Sequence, residues 1–359
     1  MTLSEIIKTR IREEGPISFR DYMEMALYYP GLGYYTSNRD KIGEAGDFYT
    51  SSNLTPAFGA AIGRQLEEMW EILGKKPFTV IEFGAGTGIL ARDILAYLKH
   101  NNPLYEKLHY TIIEKSPEMR EMEKKMLPEK VSWSGSIQDL TEISGCILSN
   151  ELLDNFAIHQ VVMNDELMEV FVDEDHGFTE LLKPAGHELK NYLEALEVHL
   201  PRGFRTEINL DALDWIKEIA IALHRGFVLT IDYGYPSAEL YQDYRNQGTL
   251  ICYNKHRINE NPYQDIGQQD ITSHVNFTAL HHWGLKNGLE GCGFTDQGHF
   301  LRALGFEEIL KEMIMREEGI NYKKEIYLVN RLLYDMGRKY KVLIQSKGIP
   351  DPGLRGLSS

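Results

Sequence analysis

Residues 80–88, Val80-Ile81-Glu82-Phe83-Gly84-Ala85-Gly86-Thr87-Gly88, carry a buried-strand pattern into a Gly-x-Gly-x-Gly turn, and an amphipathic segment from Ile89 to Leu98 follows directly. A strand that enters a helix through glycines brings backbone N–H groups and a helix N-terminus up to a ligand with no Cβ in the way. Dinucleotide sites space their glycines as Gly-x-Gly-x-x-Gly. Here the third glycine comes one residue early, and an acid, Glu82, stands two positions before the first. Glu82 would repel a pyrophosphate. It would attract an ammonium, while the helix end attracts a carboxylate. The pattern therefore points to S-adenosylmethionine, held by Gly84, Gly86 and Gly88 with Glu82, Ala85 and Thr87 beside them.

Glu114 closes the next strand, where an acidic side chain can accept both hydroxyls of a ribose. Ser136-Ile137-Gln138-Asp139 lies beyond the third strand. There Ile137 offers an apolar face to an adenine and Gln138 or Asp139 a polar edge; Ser136 as a plain helix cap is the alternative. The fourth strand exits into Ser149-Asn150-Glu151-Leu152-Leu153-Asp154, with Asn150 at the cofactor edge. Glu151 and Asp154, three apart, would share a face on a helical turn. Two carboxylates there could grip a guanidinium, orient one nitrogen and act as the catalytic pair. Asp232, Tyr233 and Tyr235 leave a later strand at the same edge and are candidates to wall an acceptor slot. His281 and His282 are adjacent, poor geometry for a shared metal, and no metal is expected.

The elements that must position these residues alternate in type. Strands are expected at Phe78–Phe83, His109–Ile113, Lys130–Trp133, Gly145–Ser149, Phe227–Ile231 and Tyr340–Gln345, with helices between them, the mark of an α/β fold on a parallel sheet. Short helices over 3–14 and 18–29 and a longer one over 56–73 come first. Gln160–Met163 and Leu167–Val172 read as an inserted hairpin. Leu210–Leu223 reads as a helix closed by Gly226 as its C′ residue, and helices are expected over 276–290 and 297–315. The stretch 236–275 has no clear period and reads as a binding loop or lid. The implied layout is an N-terminal helical extension with a cofactor-covering loop over 1–75, a core over 76–350 with insertions near 160–205 and 236–295, and a frayed tail over 351–359.

The chain has 359 residues, 43% of them hydrophobic and 25% charged, and a formal net charge of −15. Such an acid excess argues against a phosphate-backbone binder. Three cysteines without Cys-x-x-Cys spacing argue against a disulfide framework or structural zinc and suit a reducing compartment. No apolar run approaches the ~18 residues of a membrane span. The first 14 residues mix Glu5, Glu13 and Glu14 with their bases, unlike a transit peptide. A bacterial cytoplasmic location is expected ahead of a mitochondrial matrix one.

Several stretches together make the chain resemble the MidA-type class I methyltransferases, a family that includes the mitochondrial complex I assembly factor acting on protein arginine. They are Tyr29-Pro30-Gly31-Leu32-Gly33-Tyr34-Tyr35, Gly46-Asp47-Phe48-Tyr49-Thr50-Ser51, Glu82 to Gly88, Asn150-Glu151 with Asp154, Ile231 to Tyr235, Gly248-Thr249-Leu250 with Tyr253 and His256, and Gln269-Asp270-Ile271-Thr272 with His274-Val275. The resemblance implies a Rossmann-like core on a seven-stranded, mostly parallel sheet with a helical N-terminal extension and large insertions, using S-adenosylmethionine. It implies an arginine-bearing protein acceptor, respiratory complex I subunit-like. The alternatives are a cofactor-binding assembly factor without turnover and a small-molecule methyltransferase.

Overall fold

A computed structural model describes residues 1–37, 51–127, 130–254, 257–318 and 321–358. The Gly46–Thr50 part of one motif and His256 lie outside the described residues. The chain divides into two compact units: Met1–Phe48, Leu153–Trp215 and Gly234–His282 form the first, and Tyr49–Leu152, Ile216–Tyr233 and Trp283–Ser359 the second.

Among the described residues the second unit is built on seven strands: β1 (Phe78–Phe83), β2 (Leu108–Ile113), β3 (Val131–Ser134), β4 (Ile143–Asn150), β5 (Leu223–Tyr235, its last two residues counted with the first unit), β6 (Glu290–Asp296) and β7 (Tyr340–Lys347). Their order is β6-β7-β5-β4-β1-β2-β3. The pairs from β5 through β3 are parallel, and β7 runs antiparallel to both β5 and β6. Central strands of such a sheet are covered on both faces, so they read as apolar runs; Phe78, Val80 and Ile81 of β1 are all buried. Helix α1 (Pro56–Ile72) is capped by Thr55 and starts on a proline. It packs closely on α2 (Ile89–Leu98) because Gly59 and Gly63 leave room: a Cβ on Gly59 would come within 2.6 Å of the Asp93 Cβ. With its buried Phe58, Ile62, Leu66 and Met69, α1 belongs to the core cluster of this unit, not to an N-terminal extension reaching residue 75.

The first unit pairs Ile17–Ser18, His159–Met163, Leu167–Glu174, Phe178–Pro184 and Arg205–Ile208 in one antiparallel sheet, the expected hairpin among them. The stretch 236–275, expected as a loop, holds a second sheet of Ile251–Asn254, Arg257–Asn259 and Asp270–Thr272. Tyr35 Oη donates to the Asp270 carboxylate at 3.0 Å, and Thr249 N and Oγ1 both donate to Glu207 Oε2 at 2.9 Å. The 29–35 and 269–272 stretches are therefore joined by a part-buried hydrogen bond, and the 248–250 stretch is tied to Glu207 by buried ones, all inside this unit.

Three expectations are corrected. Gly226 does not end a helix: it lies in β5, with φ 147°, where a Cβ would meet the Gly145 carbonyl oxygen at 2.0 Å. Residues 290–296, two of whose glycines disguise the pattern, form edge strand β6 with an irregular register between Gly291 and Gly293, and the helix before it stops at Lys286. The tail does not fray. Leu354 is buried, and Arg355 N and Gly356 N donate to Glu68 and Gln65 of α1 at 3.0 and 3.1 Å. Leu354→Ala should cost about 2–4 kcal/mol in urea unfolding; an unchanged midpoint and slope would return the tail to the solvent.

Candidate functional site

Gly84, Gly86 and Gly88 have φ of 61°, 59° and 77°, the left-handed region that other residues enter at a cost of about 1–2 kcal/mol each. The turn they make delivers the chain from β1 into α2, whose N-cap is Gly88 with no side chain capping it. The first N–H groups of α2 are thus open to an anion such as a cofactor carboxylate. Behind the turn, Glu82 is buried and accepts from Tyr110 Oη at 2.7 Å. Burial pushes its carboxyl up to about 7, against the pull of that bond. Ala85 and Thr87 are half-buried in the turn.

Strand register fixes what stands beside it. Phe83 pairs with Ile113 on one side and Ser149 on the other, and Asn150 pairs with Ile231. Gly84, Glu114, Asn150 and Glu151 therefore emerge along one sheet edge, where open α/β sheets bind ligands. Glu114 takes Ser116 N on Oε1 at 2.7 Å; burial raises its carboxyl, with the Ser116 bond opposing. Ile137 is buried, whereas Gln138 is exposed with its Nε2 committed to Glu218 at 3.0 Å. Ser136 caps the short 3-10 turn, accepting from Gln138 N. Gln138 thus reaches a surface acid. Asn150 Oδ1 is buried and has no hydrogen-bond partner among the described residues.

These features fit S-adenosylmethionine. The turn is built on glycines, the helix end has no side-chain cap, and the carboxyls of Glu82 and Glu114 and Asn150 Oδ1 supply acceptors at the same edge.

Glu151 itself has φ 53°, rare for a residue with a long side chain and found where a site holds strain. Oε1 accepts from Ser51 N at 2.9 Å and from Asn150 Nδ2 at 3.3 Å, and Oε2 accepts from Tyr340 Oη at 2.9 Å. Tyr340 opens β7 and meets the Tyr233 ring edge to face at 5.5 Å. Neither Ser51 nor Tyr340 was expected at the site; they reach Glu151 across 100 and 189 residues. The sequence signals are that Ser51 closes the Gly46–Ser51 motif and that Tyr340 opens the expected strand Tyr340–Gln345.

The left-handed Glu151 also breaks the helical turn that was to carry the Glu151–Asp154 pair. Asp154 belongs to the first unit, in a 3-10 turn of Leu153–Asn155, where its carbonyl accepts from Ser273 N at 2.9 Å. Asp232 does not line a slot. It is fully buried, and its carboxylate accepts from Leu152 N at 3.1 Å and from Tyr233 N at 2.9 Å, so it latches the turn that presents Glu151. Tyr233 and Tyr235 fall in different units; Tyr235 packs on His274 and under the Arg245 guanidinium, 3.9 Å from the ring centre. Among the described residues no cluster of three metal-ligating side chains occurs, and no helix is long and apolar enough to cross a membrane.

Known proteins agree with this geometry. The family described as "Putative S-adenosyl-L-methionine-dependent methyltransferase" matches residues 61–295. The chain is 26% identical to the protein arginine methyltransferase NDUFAF7 homolog, mitochondrial, of Drosophila melanogaster, over 97% of this chain and 85% of that one. It is 27% identical to the Mus musculus protein arginine methyltransferase NDUFAF7, mitochondrial, over 88% and 77%. A crystal structure from Burkholderia thailandensis bound to S-adenosyl-homocysteine superposes with TM-score 0.89 at 30% identity, covering 99% of this chain and 94% of that one. A native structure of an uncharacterized protein from the same organism gives 0.87 over the same shares. With its glycine turn, sheet order and ligand edge in place, the chain belongs to the S-adenosyl-L-methionine-dependent methyltransferase family, and S-adenosyl-L-methionine is its cofactor.

Proposed function

We propose that the methyl group goes to an arginine guanidinium of a protein acceptor, and that Glu151 is the residue that receives it. The observation that carries this is the Glu151 carboxylate, fixed at the ligand edge by donors on both oxygens. A rigid carboxylate can take a guanidinium in paired hydrogen bonds, and Arg suits it because it keeps its charge at any working pH. The names of the relatives support the same acceptor class. A respiratory complex I subunit as acceptor rests on the family resemblance alone. Three cysteines that are all free thiols support a reducing compartment.

S-adenosylmethionine, when bound, supplies an electrophilic methyl group on its sulfonium. In this proposal Gly84, Gly86, Gly88 and the α2 N-terminus hold its amino-acid end, with Glu82 near the ammonium, Glu114 on the ribose and Asn150 Oδ1 as a further acceptor. Glu151 draws the positive charge of the guanidinium toward one side and leaves the opposite nitrogen richer in electrons. Asp232 keeps Glu151 in place through Leu152. The gain comes from positioning and electrostatics.

Three outcomes test this. Gly86→Val should abolish S-adenosylmethionine binding in calorimetry, since a β-branched residue resists φ 59°; retained affinity would remove the turn from the site. Glu151→Gln should bind the cofactor as wild type does while methylarginine on acceptor proteins falls at least 100-fold by mass spectrometry. Methylarginine at wild-type levels rejects the carboxylate role, and its absence with wild type as well favours an assembly factor without turnover. Asp232→Ala should cost about 1–3 kcal/mol of stability through two buried N–H groups left without an acceptor, and urea unfolding that matches wild type would dismiss the latch.

A further inference from the structure

The strand ladder that brings Tyr340 to Glu151 brings a second side chain with it. Edge strand β6 ends at Asp296, opposite Lys341 of β7, so Gln297, the next residue, leaves the sheet beside the end of β7 that carries Tyr340. Gln297 opens helix α3 (Gln297–Ala303), whose N-cap Asp296 accepts from His299 N at 2.8 Å. A Cβ on Gly298 would overlap the Leu333 carbonyl oxygen. The start of α3 is thus packed tight against its neighbour, and Gln297 stands on a fixed base.

Gln297 and Ser51 are both fully buried, and Ser51 Oγ donates to Gln297 Oε1 at 3.3 Å. Ser51 N in turn donates to Glu151 Oε1 at 2.9 Å. The helical turn Ser51–Leu54 is only four residues long, too short to fix its first N–H by bonds of its own. The glutamine carbonyl therefore holds the serine whose main chain holds the carboxylate. The other half of the same amide, Nε2, is buried with no hydrogen-bond partner among the described residues. A buried donor without an acceptor costs about 1–3 kcal/mol, more than one neutral bond returns. For stability alone an apolar side chain of equal length would serve better, so the amide is explained by what its oxygen holds.

We propose that Gln297 is a positioning residue for methyl transfer: by holding Ser51 it keeps the Glu151 carboxylate aimed at the acceptor guanidinium. With the amide gone, Ser51 N is free to turn from Glu151 Oε1, and the carboxylate rotates while the Tyr340 hydroxyl still holds Oε2. Paired hydrogen bonds to a guanidinium need both oxygens in its plane. Turnover then falls, while the glycine turn and its cofactor stay as they were. This rests on the reading of Glu151 as the residue that receives the guanidinium, and the experiment separates the two.

Gln297→Met keeps the length of the side chain and removes both polar atoms. With proteins from cells lacking the enzyme as the acceptor pool and S-adenosylmethionine varied, methylarginine turnover should fall about 10-fold or more. The KM for the cofactor should not change, and the urea midpoint should be no lower than that of wild type. Ser51→Ala breaks the same link from its other side and should fall as far, and the double variant no further, because the two share one interaction. A crystal structure of Gln297→Met should show Glu151 Oε1 away from Ser51 N. Wild-type turnover in Gln297→Met overturns the proposal, as do losses that multiply in the double variant, a loss matched by weaker cofactor binding, or a Glu151 that keeps its donors in the crystal. No methylarginine from wild type, or wild-type turnover in Glu151→Gln, overturns the Glu151 reading instead, and the crystal still decides whether Gln297 holds the carboxylate.

Discussion

Burying a carboxyl group is costly, and the second unit buries or half-buries several at one sheet edge. An ionised carboxylate removed from water costs several kcal/mol unless donors or a cation replace the lost hydration. Glu151 and Asp232 have that replacement inside the protein, from backbone N–H groups and a tyrosine hydroxyl. Glu82 and Glu123 have one donor each and carboxyls raised to about 7 and about 8, with burial the larger cause in both. The division is physical: donors on both oxygens hold Glu151 and Asp232 in one geometry, whereas burial with a single donor keeps the Glu82 and Glu123 carboxyls raised.

The sharpest geometry depends on the turn after β4. The backbone at Glu151 departs from β4 in a left-handed conformation, with its N–H still donating to the Ile231 carbonyl at 2.9 Å. Asp232, the residue after Ile231, then takes Leu152 N. Strand β5 thus grips this turn twice, once through its main chain and once through a side chain. Strain of about 1–3 kcal/mol at a single residue persists only where the surroundings over-determine it, and here a neighbouring strand does so. The parallel register of β4 and β5 is therefore part of the site, because a one-residue slip would turn Asp232 to the other face of the sheet.

The glycine turn, the acids at the strand ends and the parallel core strands were all legible in the sequence, because each is local: a run of apolar residues, a spacing of glycines, an acid at a fixed offset. What escaped was set by distant partners. Gly226 looked like a helix stop and is a point of contact between neighbouring strands, which only the Gly145 backbone opposite explains. Strand β6 escaped because an edge strand with two glycines shows no period. Asp232 looked like a slot acid because it follows an apolar run at the right edge; its partner, Leu152, is 80 residues away. The pairing of Glu151 with Asp154 assumed a helical φ at a position where the chain is left-handed.

The motif stretches of the first unit carry a different kind of information. Gly248 has φ 84°, and a Cβ there would meet Glu207 Oε1 at 2.1 Å, so this glycine serves the bond between Glu207 and Thr249. Tyr35 has its hydroxyl on Asp270 and receives Asn155 Nδ2 at 3.0 Å, while Tyr28 stacks on it at 5.4 Å. Polar groups buried this way must be matched, since an orphaned partner costs more than the bond gains. Each residue type is then fixed by its partner, with no ligand required. A resemblance that spans the whole chain therefore mixes two constraints, one set by chemistry at the glycine turn and the Glu151 edge, the other by hydrogen-bond matching in the first unit. Roles can be carried from relatives to this chain only where the first constraint operates.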